Sequence, residues 1–286
     1  MSQNILAIGG SRNIGYLSSV RFLDAGHTVT FLLRFPSVFD NDEKIQSYVK
    51  SGKAFLIKGD ALVKDDVQRA WTEAATHSTS GIVDLLLFTV GGTPKFRLTK
   101  GFVITPFNLV TQSLLNVLIT MPHQKPAPKL ITISSTGLTR TSQASLPLPL
   151  KPIYGYFLAV PHKDKVGAER VVAHCAGWDW NSKDDGEPGD DIMGGSEWKK
   201  REGLPAPGTL KRILVIRPAL LTDGECVAEK EVGGKNGKAK GKAAYRVSEE
   251  ELGGWTISRK DVAHFVVDAA LNRWDDYEGK RVSIAY

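Results

Sequence analysis

The chain has 286 residues, of which 42% are hydrophobic, and its formal net charge at pH 7 is +6. This length and composition predict one large α/β domain over residues 1–286 rather than two separate domains. The basic residues are dispersed along the chain, apart from one lysine cluster among glycines near residue 238, so a nucleic-acid partner is not expected. Cys175 and Cys226 are the only cysteines, and their spacing indicates neither a metal site nor a disulfide framework.

The first 34 residues carry the strongest signal in the chain. An apolar strand at 4–8 runs into a glycine-rich turn, a helix pattern follows, and a second strand is predicted at 28–33. The turn has the spacing Gly-x-x-x-Gly-x-Gly from Gly9 to Gly15, with Asn13 at the middle glycine, and asparagine tolerates a positive φ. Such a turn lets backbone N–H groups approach a pyrophosphate at a helix N-terminus. We therefore predict dinucleotide binding by Gly9, Ser11, Arg12, Asn13, Ile14 and Gly15.

The residue that ends the second strand predicts which cofactor binds. Rossmann sites that prefer NAD carry an acidic residue there, whereas this chain has Arg34, and an arginine accommodates a 2′-phosphate. Arg12, in the glycine turn, is close enough in sequence to share that phosphate. The predicted cofactor is therefore NADP. The alternative is that both arginines are ordinary solvated surface residues.

Strand and helix patterns alternate along the rest of the chain. Helices are predicted at 41–50, 63–75, 106–121 and 161–175, and strands at 54–58, 83–89, 130–133 and 213–216. The strands are continuous apolar runs, as expected of a parallel sheet covered on both faces. This alternation predicts an α/β fold with a doubly wound parallel sheet, a Rossmann fold, and a small C-terminal region on the substrate side.

The longest apolar stretch, 102–121, is interrupted by polar residues. Asn108, Gln112 and Asn116 recur every four residues and form one polar stripe on an otherwise buried helix, which is not typical of a membrane span. A strand also begins almost at the N-terminus, leaving no room for a signal peptide. We therefore expect a soluble cytoplasmic protein without a membrane partner.

Two segments break the alternation. Residues 181–209 mix acidic residues with Gly, Pro and Lys, and residues 229–243 are rich in Gly and Lys. Both are predicted to be insertions, mobile or poorly ordered, and 181–209 is predicted to be dispensable for folding because it offers few core residues. Both flank the C-terminal part, so each is either a lid over the substrate or surface decoration.

Several short motifs fall mostly at predicted strand ends. In chain order they are residues 9–15, Arg34, Gly59-Asp60-Ala61, Thr89-Val90-Gly91-Gly92, Ile133-Ser134-Ser135-Thr136-Gly137, Lys165-Val166-Gly167-Ala168-Glu169, Arg217-Pro218-Ala219 and Ile257-Ser258-Arg259-Lys260-Asp261-Val262-Ala263. Together they resemble the atypical and extended short-chain dehydrogenase/reductases, including the NmrA-like, biliverdin-reductase-B-like and NAD-dependent epimerase-like branches.

The resemblance implies further cofactor contacts. Asp60 and Ala61 are expected to line the adenine pocket. Val90 and Gly91 are expected close to the cofactor ribose, and Pro218 at the nicotinamide. The alternative for each position is a turn residue at the end of a strand that contacts no ligand. For Asp60 this alternative is weak, because ligands bind outside the carboxyl ends of such strands.

The resemblance also implies a reaction site of Ser, Tyr and Lys, in which Tyr moves the proton, Lys lowers the Tyr pKa and holds the nicotinamide ribose, and Ser binds the reacting oxygen. Ser135 fits the serine position. Lys165 fits the lysine position because Glu169 follows it by four residues. The tyrosine should lie one helical turn before the lysine, but that residue is Pro161.

The missing tyrosine leaves several alternatives open. Tyr156 or Tyr154 reaches the site from the preceding segment, or His162, on the same helix face as Lys165, donates the proton. Solvent supplies the proton in a third alternative, suggested by the biliverdin-reductase-B-like branch. In a fourth, the protein binds NADP without turnover, like NmrA-type regulators.

These alternatives give three hypotheses for the function. The first is an NADP-dependent reductase or dehydrogenase acting on a small carbonyl, enone or flavin-like molecule. The second is a catalytically silent, NADP-binding redox sensor. The third is an epimerase or dehydratase that retains its cofactor. The sequence does not determine the oligomeric state.

Overall fold

The computed structural model describes residues 2–93, 95–97, 101–145, 148–150, 159–232 and 243–286. The strands in this part of the chain are β1 (Asn4–Ile8), β2 (Thr28–Leu33), β3 (Ala54–Lys58), β4 (Leu85–Phe88), β5 (Lys95–Arg97), β6 (Gly101–Val103), β7 (Lys129–Ile133), β8 (Ile213–Pro218), β9 (Leu220–Thr222), β10 (Arg246–Ser248), β11 (Thr256–Ser258) and β12 (Lys280–Ala285). The helices are α1 (Asn13–Asp24), α2 (Glu43–Lys50), α3 (Lys64–Thr76), α4 (Leu109–Ile119), α5 (Arg140–Ser145), α6 (Ala159–Ala176), α7 (Asp190–Met193), α8 (Val227–Val232), α9 (Arg259–Leu271) and α10 (Trp274–Tyr277).

The central sheet has the strand order β10-β12-β8-β7-β4-β1-β2-β3. All neighbouring strands are parallel except the edge pair of β10 and β12. The chain winds outward from β1 through β2 and β3, then returns to the other side of β1 with β4. The strand order therefore reverses between β1 and β4, where ligands bind outside the carboxyl ends of the strands. The prediction of a doubly wound, mostly parallel sheet is confirmed.

Each face of the sheet is covered by its own hydrophobic core. On β1, Leu6 and Ile8 belong to the core that includes α3, α4 and α6. Ile5 and Ala7 belong to the opposite core, which includes α1 and α9. Burial on both faces explains why the strands read as continuous apolar runs. No helix in the described ranges is long and apolar enough to cross a bilayer.

The structure corrects the prediction for residues 181–209. Ile192, Met193 and Trp198 are buried in the core beside α4 and α6, so the expectation of few core residues is wrong. The polar stripe of α4 holds this segment in place: Gln112 Nε2 donates to the Ile192 carbonyl at 2.8 Å and Gln112 Oε1 accepts from Arg201 at 3.1 Å. This packing could not be predicted from the sequence, because three apolar residues without a helix or strand period give no secondary-structure signal. Of the second segment, 229–243, most lies outside the described residues.

We expect Trp198→Ala to destabilise the protein by about 3–5 kcal/mol, the usual cost of truncating a buried large aromatic residue. The indole is 6% exposed and packs edge-on against His174, with ring centroids 5.2 Å apart. Chemical denaturation measures the loss. Glu202→Ala, at an exposed position in the same segment, is the control and should leave stability unchanged. Equal stability of both variants would restore the idea that this segment is dispensable.

Candidate functional site

A cleft of about 600 Å³ opens at the carboxyl ends of β1, β2, β3 and β4, on both sides of the point where the strand order reverses. Most of the residues predicted to bind the cofactor line it, from five separate regions of the sequence. These residues are Gly9, Ser11, Arg12, Asn13, Ile14, Gly15, Arg34, Asp60, Ala61, Val90, Gly91 and Lys165. The fold therefore brings together what the sequence motifs suggested separately.

The glycine turn is fixed by close packing against the end of β4. Gly9 has a φ of 91°, and a Cβ there would lie 2.5 Å from the Thr89 backbone. A Cβ at Gly15 would lie 2.2 Å from Thr89 Oγ1, which donates a hydrogen bond to the Gly9 carbonyl at 3.0 Å. Asn13 has a φ of 52° and is the one non-glycine residue with positive φ in the described ranges, as expected for its place in the turn. The turn thus leads directly into the first turn of α1, whose N–H groups have no acceptor within the helix.

Gly15→Ala should therefore disrupt the turn. We expect a loss of about 1–3 kcal/mol in stability from overpacking, together with weaker dinucleotide binding. Thermal unfolding and titration with NADP measure the two effects. Gly224→Ala, outside the cleft lining, is the control, because a Cβ there makes only ordinary contacts at 3.7 Å with Ser258 and Thr222. A Gly15→Ala protein with wild-type stability and affinity would contradict this packing.

Cationic and apolar side chains line one end of the cleft, after β2. Arg34 is exposed directly beyond the strand, and Phe35 is 71% exposed beside it. Arg12 is also exposed, and its Nη1 donates to Thr93 Oγ1 at 2.8 Å. Both arginines line the same cleft.

Backbone contacts fix the strand-end residues after β3. The Asp60 N–H donates to Asp66 Oδ2 at 2.8 Å, and Asp60 Oδ1 accepts from the Leu62 N–H at 3.0 Å. The Ala61 carbonyl accepts from Asn116 Nδ2 at 3.0 Å. The polar stripe on α4 thus also supports this wall of the cleft.

Lys165 reaches the cleft from α6. Its Nζ donates to the Ser134 carbonyl, just beyond β7, at 2.8 Å. Burial lowers the pKa of Lys165 to about 8, although the carboxylates of Glu169 and Asp164 act in the opposite direction. Pro161 lies in the first turn of α6, where proline is tolerated, so this turn offers no tyrosine hydroxyl at that position.

The position of Lys165 is set by the contact between α6 and α4. The Asp164 carboxylate accepts hydrogen bonds from the N–H groups of Val110 and Thr111 at 2.8 and 2.9 Å. These two N–H groups lie in the first turn of α4 and have no acceptor within their own helix. Gly167 allows the close approach, since a Cβ there would lie 2.4 Å from Thr111 Oγ1.

The other predicted catalytic residues are placed differently. Ser135 lies two residues beyond β7 and is partly exposed, but it does not line the cleft among the described residues. Its neighbour Ser134 is the inward-facing serine and donates to Glu169. His162 is buried and outside the cleft lining, and burial, assisted by the charge of Lys165, lowers its pKa to about 3. His162 as a proton donor stays a prediction, and its buried imidazole lies outside the cleft lining among the described residues.

Two further predictions have distinct outcomes. Tyr154 and Tyr156 lie outside the described residues. Pro218 is buried at the end of β8, where its carbonyl accepts from the Thr136 N–H at 3.1 Å, so it has a structural contact and does not line the described cleft. Leu221, three residues later on β9, lines the cleft instead.

A buried charge network lies behind Lys165. Glu169 is 3% exposed and pairs with Arg217, whose Nε donates to it at 2.9 Å. Burial raises the pKa of Glu169, but the guanidinium groups of Arg217 and Arg281 outweigh this and hold the pKa below its usual value. Arg281, from β12, also lies 3.7 Å from Asp185 in the 181–209 segment. The network therefore ties α6, β8, β12 and that segment together.

The sequence did not assign a site role to Arg259, which also lines the cleft. Its only signal in the sequence is its place in the C-terminal motif of residues 257–263, which leads into α9. No group of His, Cys, Asp or Glu side chains among the described residues is arranged to hold a metal ion.

Comparison with known sequences identifies a partial relative. No protein-family model matches the chain. The reductase pytE of Aspergillus terreus is 33% identical to it over 162 residues, which cover 56% of this chain and 49% of pytE. The chain thus spans about half the length of this curated relative.

Solved structures share the fold over nearly the whole chain. A short-chain dehydrogenase from Burkholderia cenocepacia in complex with NADP has a TM-score of 0.55 and 13% identity, covering 99% of this chain and 96% of that one. ChuY, an anaerobilin reductase from Escherichia coli O157:H7, has a TM-score of 0.53 and 16% identity, covering 98% and 96%. A Bacillus halodurans chain provisionally assigned as an NAD-dependent epimerase/dehydratase has a TM-score of 0.53 and 13% identity, covering 99% and 94%. The chain therefore has the Rossmann fold of the short-chain dehydrogenase/reductases, and the resemblance inferred from its motifs is confirmed at the level of the fold.

Proposed function

We propose that this chain is an NADP-dependent reductase or dehydrogenase that transfers a hydride to or from a small carbonyl, enone or flavin-like substrate. The observation that carries the proposal is one cleft lined by a glycine turn at a helix N-terminus, by Arg12 in that turn, by Arg34 beyond β2 and by Lys165 from α6. The partial relative pytE is a reductase, and a structure with the same fold holds NADP. We propose a small-molecule substrate in the cytoplasm, without a nucleic-acid or membrane partner.

The residues present fit this cofactor. Tight packing of Gly9 and Gly15 against Thr89 shapes a turn that backbone N–H groups line, suited to a diphosphate. Arg12 and Arg34 supply the positive charge that a 2′-phosphate requires. NADP would supply the hydride chemistry when bound.

Lys165 would orient the reacting end of the cofactor. The Ser134 carbonyl holds its ammonium group at 2.8 Å, leaving other N–H donors for a ribose hydroxyl. Because Pro161 replaces the usual tyrosine, the proton would come from solvent, from Tyr154 or Tyr156, or from His162. The same replacement favours a second candidate function, an NADP-binding redox sensor without turnover.

Measured oxidation of NADPH separates these two functions. Turnover with any member of a panel of carbonyls, enones and flavins would support the reductase. Tight NADP binding without turnover across the panel would support the sensor. Interconversion of a substrate epimer without net NADPH oxidation would instead indicate an epimerase that retains its cofactor.

Cofactor preference tests the role assigned to Arg34. We expect Arg34→Ala to weaken NADP binding about tenfold or more and to leave NAD binding nearly unchanged, because a charge-assisted bond to a phosphate contributes roughly 1.5–3 kcal/mol. Isothermal titration with each cofactor measures the effect. Arg140→Ala, at an exposed arginine that does not line the cleft, is the control. Equal losses for both cofactors, or a wild-type preference for NAD, would refute the assignment.

A further inference from the structure

Arg259 adds a cation from the C-terminal half of the chain to the lining of the cleft. It lines the cleft together with Leu221, and the proposal for Arg34 and Arg12 makes no use of it. Its side chain is 25% exposed, and its Nη1 donates to Asp223 at 2.7 Å. Among the described residues, Arg259 is therefore a cationic group held at the cleft by one ion pair, with Asp223.

The small parallel sheet of β9 and β11 fixes this pair. Thr222 and Ser258 are the last paired residues of the two strands, so Asp223 and Arg259 leave the same end side by side. Ser258 then caps α9, since its Oγ accepts from the Asp261 N–H at 2.9 Å. Arg259 is the first residue of α9, and α9 packs along α1, the helix that begins at the glycine turn.

The partner of Arg259 holds it weakly. Asp223 is 88% exposed, so water competes with the guanidinium for its carboxylate. A diphosphate carries more negative charge than one carboxylate and binds an arginine in a bidentate geometry. A diphosphate in the cleft can therefore replace Asp223 as the acceptor for Arg259.

We propose that Arg259 binds the diphosphate of the nicotinamide dinucleotide from the side opposite the glycine turn, exchanging Asp223 for this ligand. The proposal rests on the proposed function, since it requires a dinucleotide in the cleft. It assigns different phosphates to different arginines: the 2′-phosphate to Arg34 and Arg12, and the diphosphate to Arg259. Arg259 consequently supports NADP and NAD binding alike.

Titration of the 286-residue chain with three probes tests the assignment. Arg259→Ala is expected to weaken NADP and NAD binding by a similar factor, about tenfold or more. Adenosine 2′-monophosphate has the 2′-phosphate but neither phosphate of the diphosphate, so its affinity for Arg259→Ala should remain that of the wild type. Lys260→Ala is the matched control, because the next residue forms a comparable ion pair with Glu225 and does not line the cleft.

The outcomes separate this proposal from the function on which it rests. Wild-type protein that binds neither dinucleotide would overturn both. Normal NADP binding by Arg259→Ala, or an equal loss for adenosine 2′-monophosphate, would overturn only the diphosphate assignment. Asp223→Ala gives an independent measurement: release of Arg259 should tighten NADP binding by about two- to fivefold, and unchanged or weaker binding would overturn the exchange.

Discussion

Glu169→Gln is expected to destabilise the protein by about 3–5 kcal/mol, because it removes the negative charge that neutralises a buried guanidinium. The Glu169 and Arg217 side chains are only 4% and 9% exposed, so water cannot replace the lost partner. Ser134 also loses a carboxylate acceptor. Urea denaturation followed by fluorescence measures the change in the free energy of unfolding.

Two comparisons show whether the charge pair itself causes this loss. Glu73→Gln removes an exposed carboxylate that pairs with Arg69 at 3.4 Å, and it should change stability by less than about 1 kcal/mol. The double variant Glu169→Leu with Arg217→Met should recover part of the stability, since it leaves no unpaired charge between those two positions. If Glu169→Gln lowers the free energy of unfolding by no more than Glu73→Gln does, this account of the network is wrong.

The first half of the fold could be predicted from sequence because its signals are local. The predicted strands at 4–8, 28–33 and 54–58 are mostly apolar runs followed directly by Gly9, Arg34 and Gly59, and parallel strands place the residues that follow them at one edge of the sheet. That rule alone predicts Arg34, Asp60 and Val90 as neighbours, and all three line the cleft.

The remaining parts depend on contacts between distant residues. β12 pairs with β8, more than 60 residues earlier, and no local sequence pattern predicts this pairing. β5 and β6 have three residues each, which is too short for their apolar pattern to predict a strand. Ser134 and Ser135 are adjacent, and which hydroxyl turns inward is decided by Glu169 on α6, not by the local sequence. Arg259 likewise reaches the cleft because β11 pairs with β9. Only the assembled fold shows such placements.

Lys165 should affect NADP binding and turnover together. If the chain is an enzyme, we expect Lys165→Met to weaken NADP binding about ten- to hundredfold, the effect of losing a charge-assisted hydrogen bond, and to lower turnover as well. Lys163→Met is the matched control, because Lys163 is exposed on the same helix and pairs with Asp191 outside the cleft. Tyr154→Phe and Tyr156→Phe should each cost less than the roughly 10²–10⁴-fold expected for a lost general acid. A collapse of turnover in either Phe variant, with NADP affinity intact, would identify that tyrosine as the proton donor.

The pH dependence of NADP binding gives Lys165 a signature that a purely structural role would lack. Burial lowers the pKa of its ammonium group to about 8, so the free protein begins to lose this charge near pH 8. An anionic cofactor favours the charged form and raises the pKa in the complex, so binding takes up a proton above this pH. Wild-type affinity should therefore be constant from pH 6.5 to about 7.5 and fall by up to tenfold per pH unit above about 8. Lys165→Met should remove this decline, whereas Lys163→Met should keep it. If the affinity of the wild-type protein for NADP stays constant up to about pH 9.5, the charge of Lys165 does not contribute to cofactor binding.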